Sequence, residues 1–243
     1  MRSIEFSELT STELDELARR PHPPVLLLPT GAIEPHGPHA PLGTDVLIAE
    51  AICRRTAQAL AGDPMRTALV LPALPYGVTR YAAAFRGAIG ISEATLTALI
   101  TDLTQSLATD GFPTVILVNS HFEPEQVETL RATGLPLLDL TRRARATRLT
   151  DEFRRGSCHA GSYETSLVLS ERPELIDAET AATLPSLEVD MPAEMRRGHE
   201  DFLAMGMDQA YCGAPAEASA QEGERTYAVL VEMLIELIRE LDA

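Results

Sequence analysis

Short apolar runs recur along this chain between stretches of helical spacing, and they are apolar on both faces. Residues 25–28 (VLLL), 68–72 (ALVLP), 114–118 (TVILV) and 135–140 are such runs, each the length of a strand. Between them, Asp45 opens a stretch reaching about Ala61, with Val46, Ala49, Cys53 and Ala57 along one face. Ser92 caps a second, with Glu93 in its first turn and Leu96, Leu99, Ile100, Leu103 and Leu107 at helical spacing, until Asp110-Gly111 ends it. Residues 123–133 read as a third helix, Thr165 and Ser166 start a fourth, and an amphipathic helix covers residues 226–241. A strand that is apolar on both faces must be covered on both faces. The pattern therefore predicts the α/β class: a three-layer α/β/α sandwich around a mostly parallel central sheet. No repeat, linker or low-complexity tract divides the 243 residues, so residues 1–243 are expected to form a single domain.

In open parallel sheets, ligands sit at the carboxyl ends of the strands. The loop after the first run, GAIEPHGPHAPLGTD, places Glu34, His36, His39 and Asp45 within twelve residues. In extended backbone, residues two apart point to the same side, so Glu34 and His36 are expected to face one site. The loop after the third run, NSHFEPEQ, repeats the spacing in reverse order with His121 and Glu123. A third stretch, CHAGSYETSLVL, offers His159 and Glu164. Four of the six histidines thus fall in three loops that also carry carboxylates. Mixed His and carboxylate donors suit Zn²⁺, Mn²⁺ or Fe²⁺ rather than metals that favour thiolates.

Composition removes competing readings. Twenty basic against 36 acidic residues give a net charge of −16, which opposes broad binding to a phosphate backbone, so no nucleic-acid partner is expected. All 20 basic residues are Arg, which excludes a Schiff-base lysine, a P-loop lysine and a lysine general base. No apolar run approaches the ~18 residues a membrane span needs, and the polar, acidic N-terminal stretch lacks a signal-peptide apolar region. No membrane association is expected, and a cytoplasmic location is. Cys53, Cys158 and Cys212 are widely spaced and form no C-x-x-C arrangement, as reduced thiols would. Cys158 adjoins His159, but no cysteine-hydrolase motif surrounds the pair.

At these residues the chain resembles the creatininase family of metal-dependent amidohydrolases. The family pattern G-x-x-E-x-H-G-x-H-x-P-x-x-T-D is matched throughout residues 31–45. Further matches are LPYG at residues 74–77, F-x-G at 85–87, GFPTVILVNSH at 111–121, HAGSYETS at 159–166, G-x-P-x-x-A at 213–218 and EGE at 222–224. The resemblance implies two divalent metal ions per subunit, one held by Glu34, Asp45 and His121 and the other by His36, Asp45 and Glu123, with Asp45 bridging. It implies His159 as proton shuttle, Glu164 as an acidic group beside the site, and Glu123 within the catalytic set. Phe122 and Tyr76 are the expected substrate contacts, and His39 is expected to support the loop or the ligands.

The implied reaction is hydrolysis of a C–N amide bond in a small cyclic or linear amide by metal-activated hydroxide, with His159 protonating the departing nitrogen. A deformylase or peptidase branch of the family is the alternative, and a non-catalytic metal-binding scaffold a remoter one. The family resemblance also implies a homo-oligomer, expected to be a hexamer. Three departures argue against creatinine as substrate. The chain has no Trp, Phe122 replaces the usual Tyr, and Arg86 and Ala88 stand where Pro and Thr are usual. Arg86 is expected to be a surface or interface charge, with contact to an anionic substrate group the alternative.

Overall fold

The computed structural model describes residues 2–63 and 65–241. Four strands, β1 (Val25–Thr30), β2 (Ala68–Val70), β3 (Val115–Asn119) and β4 (Leu137–Leu138), form one sheet in the order β2-β1-β3-β4, with every pair parallel. The helices are α1 (Ser11–Ala18), α2 (Thr44–Ala59), α3 (Glu93–Thr109), α4 (Pro124–Ala132), α5 (Arg143–Ala146), α6 (Asp151–Arg154), α7 (Ser162–Glu171), α8 (Ala178–Thr183), α9 (Met191–Arg196) and α10 (Ala220–Glu240).

The alternation of side chains along each strand divides the core in two. On β1, Leu27 packs among residues of α2, α7 and α10, while Leu26 and Leu28 pack among residues of α1, α3 and α4. On β3, Ile116 and Val118 join the first cluster and Val115 and Leu117 the second. Each such side chain removed from water is worth about 1.5–3 kcal/mol, and both faces of the sheet carry them. This is the expected three-layer α/β/α sandwich. Among the described residues, no helix is long and apolar enough to cross a membrane.

The strand order sets the position of the site. From β1 the chain leaves towards α2 on one face, and from β3 towards α4 on the other. β1 and β3 are neighbours, paired from Leu26↔Val115 to Thr30↔Asn119, so they end at the same level. Their two loops diverge from a shared crevice, the switch point at which open α/β sheets bind ligands.

Three expected boundaries move. β4 is two residues long rather than six, because Asp139 turns into a cluster with Arg131, Arg142 and Thr141 at the sheet edge. The helix expected from Thr165 starts at Ser162, which places Glu164 in its first turn. The last helix starts at Ala220, capped by the Ser219 hydroxyl, six residues before its apolar spacing begins. Helix α1 follows a capping box, with the Thr10 side chain accepting from the Glu13 N–H and the Glu13 carboxylate accepting from the Thr10 N–H.

Candidate active site

Each side chain in the crevice arrives there by an identifiable device. Glu34 and His36 lie on the loop after β1. Asp45 sits in the first turn of α2, brought close because Gly31 has no side chain: a Cβ there would stand 2.8 Å from both Asp45 Cβ and the Val46 nitrogen. His121 and Glu123 follow β3, His159 precedes the turn into α7, and Glu164 is in that helix's first turn. All seven are buried.

The three histidines share one arrangement. His36 Nδ1 lies 3.0 Å from the Glu34 carbonyl, His121 Nε2 2.8 Å from that of Val78, and His159 Nε2 3.0 Å from that of Pro35. A carbonyl only accepts, so each of these nitrogens carries the hydrogen and the other is bare in the neutral ring. The bare Nε2 of His36 faces Asp45 Oδ1 at 3.1 Å and Glu164 Oε2 at 3.6 Å. The bare Nδ1 of His121 faces Glu34 Oε1 at 3.1 Å and Asp45 Oδ2 at 3.2 Å. That of His159 stands 3.9 Å from Glu34 Oε1. Acceptors facing acceptors need a proton or a cation between them.

The electrostatics follow from that. Burial opposes the charged form of His36, but Asp45, Glu164 and Glu34 outweigh it and raise the imidazole to about 10. His121 is likewise raised well above its ordinary value, against burial, by Glu34 and Asp45. Burial disfavours the Asp45 carboxylate too, yet His36 and His121 hold it below the usual range. Glu164 rises to about 8, through burial and the charges of Asp45 and Glu34. His159 falls to about 4, through burial and the charge on His36. A buried carboxylate left unpaired costs several kcal/mol; the two cationic rings hold Glu34 and Asp45 ionised, and Glu164 is left favouring its protonated form.

Divalent cations fit this donor set. Two groups of donors lie within metal-binding range, Glu34–Asp45–His121 and His36–Asp45–Glu164, with Asp45 common to both; Glu34, His36 and His159 form a third. Asp45 Oδ2 is buried with no hydrogen-bond partner, despite its 3.2 Å approach to His121. Each inward histidine is held from behind by a carbonyl, the orientation typical of metal-ligating imidazoles.

Glu123 stands apart from these groups, and this departs from the ligand set expected for the second ion. Its carboxylate accepts from the Arg80 N–H at 2.8 Å and the Tyr81 N–H at 3.2 Å, and it lies 3.9 Å from His121 Nε2. Its carboxylate is turned towards that backbone, and it is Glu164 that lies beside His36 and Asp45. Burial lifts Glu123 to about 7.

The cavity is lined by Glu34, Asp45, His121, Glu123, His159 and Glu164, with Phe122, Tyr81, Cys158 and Phe202 among the walls. Tyr76 does not line it and is exposed, and Arg86 is exposed as expected. His39 does not line the cavity; its Nε2 lies 2.9 Å from the Thr165 hydroxyl, tying the first loop to α7. Burial, with the nearby Glu164, pushes the Cys158 thiol well up, and the His159 nitrogens are directed elsewhere, so the adjacent pair is not a thiolate–imidazolium couple.

Some contributors carried no sequence signal. Glu152, buried, accepts from the N–H groups of Ser162, Tyr163 and Ala214 at 2.8–3.0 Å and so fixes the start of α7. Phe202, from a stretch without periodicity, packs its ring 4.6 Å from that of His159. Thr79 donates to Glu34 Oε2 at 2.6 Å. Gln126 accepts from the Val78 N–H at 2.9 Å, steadying the carbonyl that orients His121.

The creatininase family model, described as creatinine amidohydrolase, matches residues 7–238. The chain is 32% identical over 210 residues to a mycofactocin precursor peptide peptidase of Mycolicibacterium smegmatis (86% of this chain, 81% of that one). It is 29% identical over 247 residues to a creatinine amidohydrolase of Pseudomonas putida (89% of each). A solved structure titled "Creatininase Mn" superposes with a TM-score of 0.76 at 27% identity, over 98% of both chains.

Proposed function

Because this chain belongs to the creatininase family, we propose that its buried cavity holds two divalent ions, one at Glu34, Asp45 and His121 and the other at His36, Asp45 and Glu164. The protein is a hydrolase acting on C–N bonds. The observation that carries the two-ion reading is the pair of donor groups joined through Asp45, each with a bare histidine nitrogen aimed at two carboxylates. Zn²⁺ and Mn²⁺ both suit these donors, and Fe²⁺ is compatible. Two such ions would supply Lewis acidity towards a carbonyl oxygen and lower the pKa of water towards neutrality.

The chain's own groups divide the remaining work. Glu123, close to neutrality and held by two backbone N–H groups, accepts a proton from the attacking water. His159 presents its bare Nδ1 to the cavity while Nε2 is fixed on Pro35, so it carries a proton to the departing nitrogen. An amide nitrogen leaves poorly without one. Phe122 lines the cavity and offers an apolar wall to a substrate there.

His121 and His159 separate the binding and proton-transfer roles. His121→Ala should lower both metal content and turnover. His159→Ala should keep both ions and lose turnover by roughly 10²–10⁴-fold. Metal content measured beside kcat tests this, and His159→Ala losing metal while His121→Ala retains it would reverse the assignment.

A further inference from the structure

The cavity at the metal donors measures about 40 Å³, far below the ~300–1,000 Å³ of an ordinary ligand site. The remainder of any substrate must therefore lie elsewhere. Beside it opens a cleft of about 660 Å³, within the ~300–1,000 Å³ usual for ligand sites. Phe122, Cys158, Met191 and Met195 line both spaces, so the cleft continues the cavity directly.

We propose that this cleft receives the arm of an extended, peptide-like amide, seating an apolar residue of the substrate against Phe122, Phe153 and Met195. The assignment rests on the two-ion reading of the adjacent cavity, and it disfavours a compact ring such as creatinine as the substrate.

The floor is built rather than incidental. The chain around Gly156–Ser157 is stitched to the segment leading into α9: the Met191 N–H donates to the Gly156 carbonyl at 3.2 Å, and the Val189 N–H to the Ser157 hydroxyl at 3.0 Å. The Phe122 and Phe153 rings meet edge to face at 5.4 Å and set one wall. Met191 and Met195 supply the other, and unbranched thioethers adapt to side chains of differing shape. Charges at the rim are already engaged. Arg154 pairs with Asp151, Arg155 lies 3.9 Å from Glu188, and Asp190 accepts from the Ala193 N–H at 2.9 Å. The walls of this cleft thus offer mainly apolar contact and shape.

The test uses the zinc-reconstituted full chain and two metal-directed probes, acetohydroxamic acid and the hydroxamate of N-acetyl-leucyl-phenylalanine, titrated by calorimetry. Burying one or two apolar side chains should make the dipeptide probe bind tighter by on the order of 10–100-fold. Ala146→Trp, which fills the cleft from its side wall, should erase most of that preference while leaving zinc content and acetohydroxamate affinity unchanged. If Ala146→Trp does not fold, Met195→Asp must reduce the same ratio. Equal affinity for the two probes overturns the proposal, as does a preference that neither variant moves. A change of oligomeric mass in Ala146→Trp with the preference intact assigns the cleft to a second copy of the chain and equally overturns it. Failure of both probes to bind strikes the two-ion reading itself, and the cleft assignment with it.

Discussion

His36, His121 and His159 illustrate how far residue chemistry determines this site. Each gives one ring N–H to a main-chain carbonyl, and the fold decides what its other nitrogen meets. The convergence of Glu34, His36 and His121 was legible from two-residue spacing at the strand ends, which faces such pairs to one side, and that of Asp45 from the loop that returns it to them. The approach of Glu164, and not Glu123, to His36 was not. Glu164 lies five positions after His159, across a turn in which Ala160 adopts φ 53°, a left-handed conformation unusual for a residue with a side chain. The same turn gives Glu164 the Ala160 N–H at 2.7 Å. Glu152 anchors the turn from behind, and no motif announces it. Glu152→Ala leaves the Ser162, Tyr163 and Ala214 N–H groups without that acceptor. At about 1–3 kcal/mol for each buried group, it should cost at least ~3 kcal/mol in urea unfolding. Wild-type stability in this variant would show that Glu152 does not hold the turn.

At the scale of elements, the strands and long helices were legible because each carries a single period. The short helices α5, α6, α8 and α9 are four to six residues long, too few to show one, and residues of α5, α6 and α9 and their loops wall the cleft. The start of α10 was hidden for a related reason. Its first turns carry Gly223, where a Cβ would collide with the Ser166 carbonyl of α7, so close backbone contact replaces apolar periodicity there. The same layer is clasped at its rim. Arg55 of α2 reaches Glu171 of α7 and Glu224 of α10, and its guanidinium lies 4.4 Å from the centre of the Tyr227 ring. Hydrogen bonds from Arg55, then from Ser170, hold the Glu224 carboxyl down to about 2. A lowered folded-state value stabilises the protein above the unfolded value and ceases to do so as pH falls through the folded one. Glu224 is half exposed, so the contribution is at most about 1 kcal/mol. Glu224→Gln should therefore be slightly less stable than wild type at pH 7, and the two should converge between about pH 4.5 and 2. A difference in unfolding midpoint that persists unchanged to pH 2 would assign the effect to something other than this ion pair.

For the molecule as a whole, the strand order β2-β1-β3-β4 does what no single motif does. It joins the loop after residue 30, the loop after residue 119 and the start of α7 in one crevice. The layered architecture could be read from alternating runs, but the closure of the site by residues 184–218 could not, because that stretch packs through irregular contacts such as Tyr81 with Phe202. The surface bears on assembly as well. Leu42 and Ile89 are 42% and 51% exposed, Ile89 where it bridges Ile33 on the loop that carries Glu34 and His36, and exposed apolar groups can serve contacts between subunits. We propose a homo-oligomer, a hexamer by family resemblance. Light scattering at micromolar concentration should give a multiple of the 26.3 kDa chain mass, and a monomeric mass would contradict it. The central claim, a two-ion cavity in which Glu164 binds metal and Glu123 moves a proton, is tested most directly by elemental analysis after zinc saturation. Wild type should hold two ions per chain, Glu164→Gln about one, and Glu123→Gln two with turnover lost. Saturation of the wild type at a single ion, or loss of an ion from Glu123→Gln while Glu164→Gln keeps both, would contradict the account.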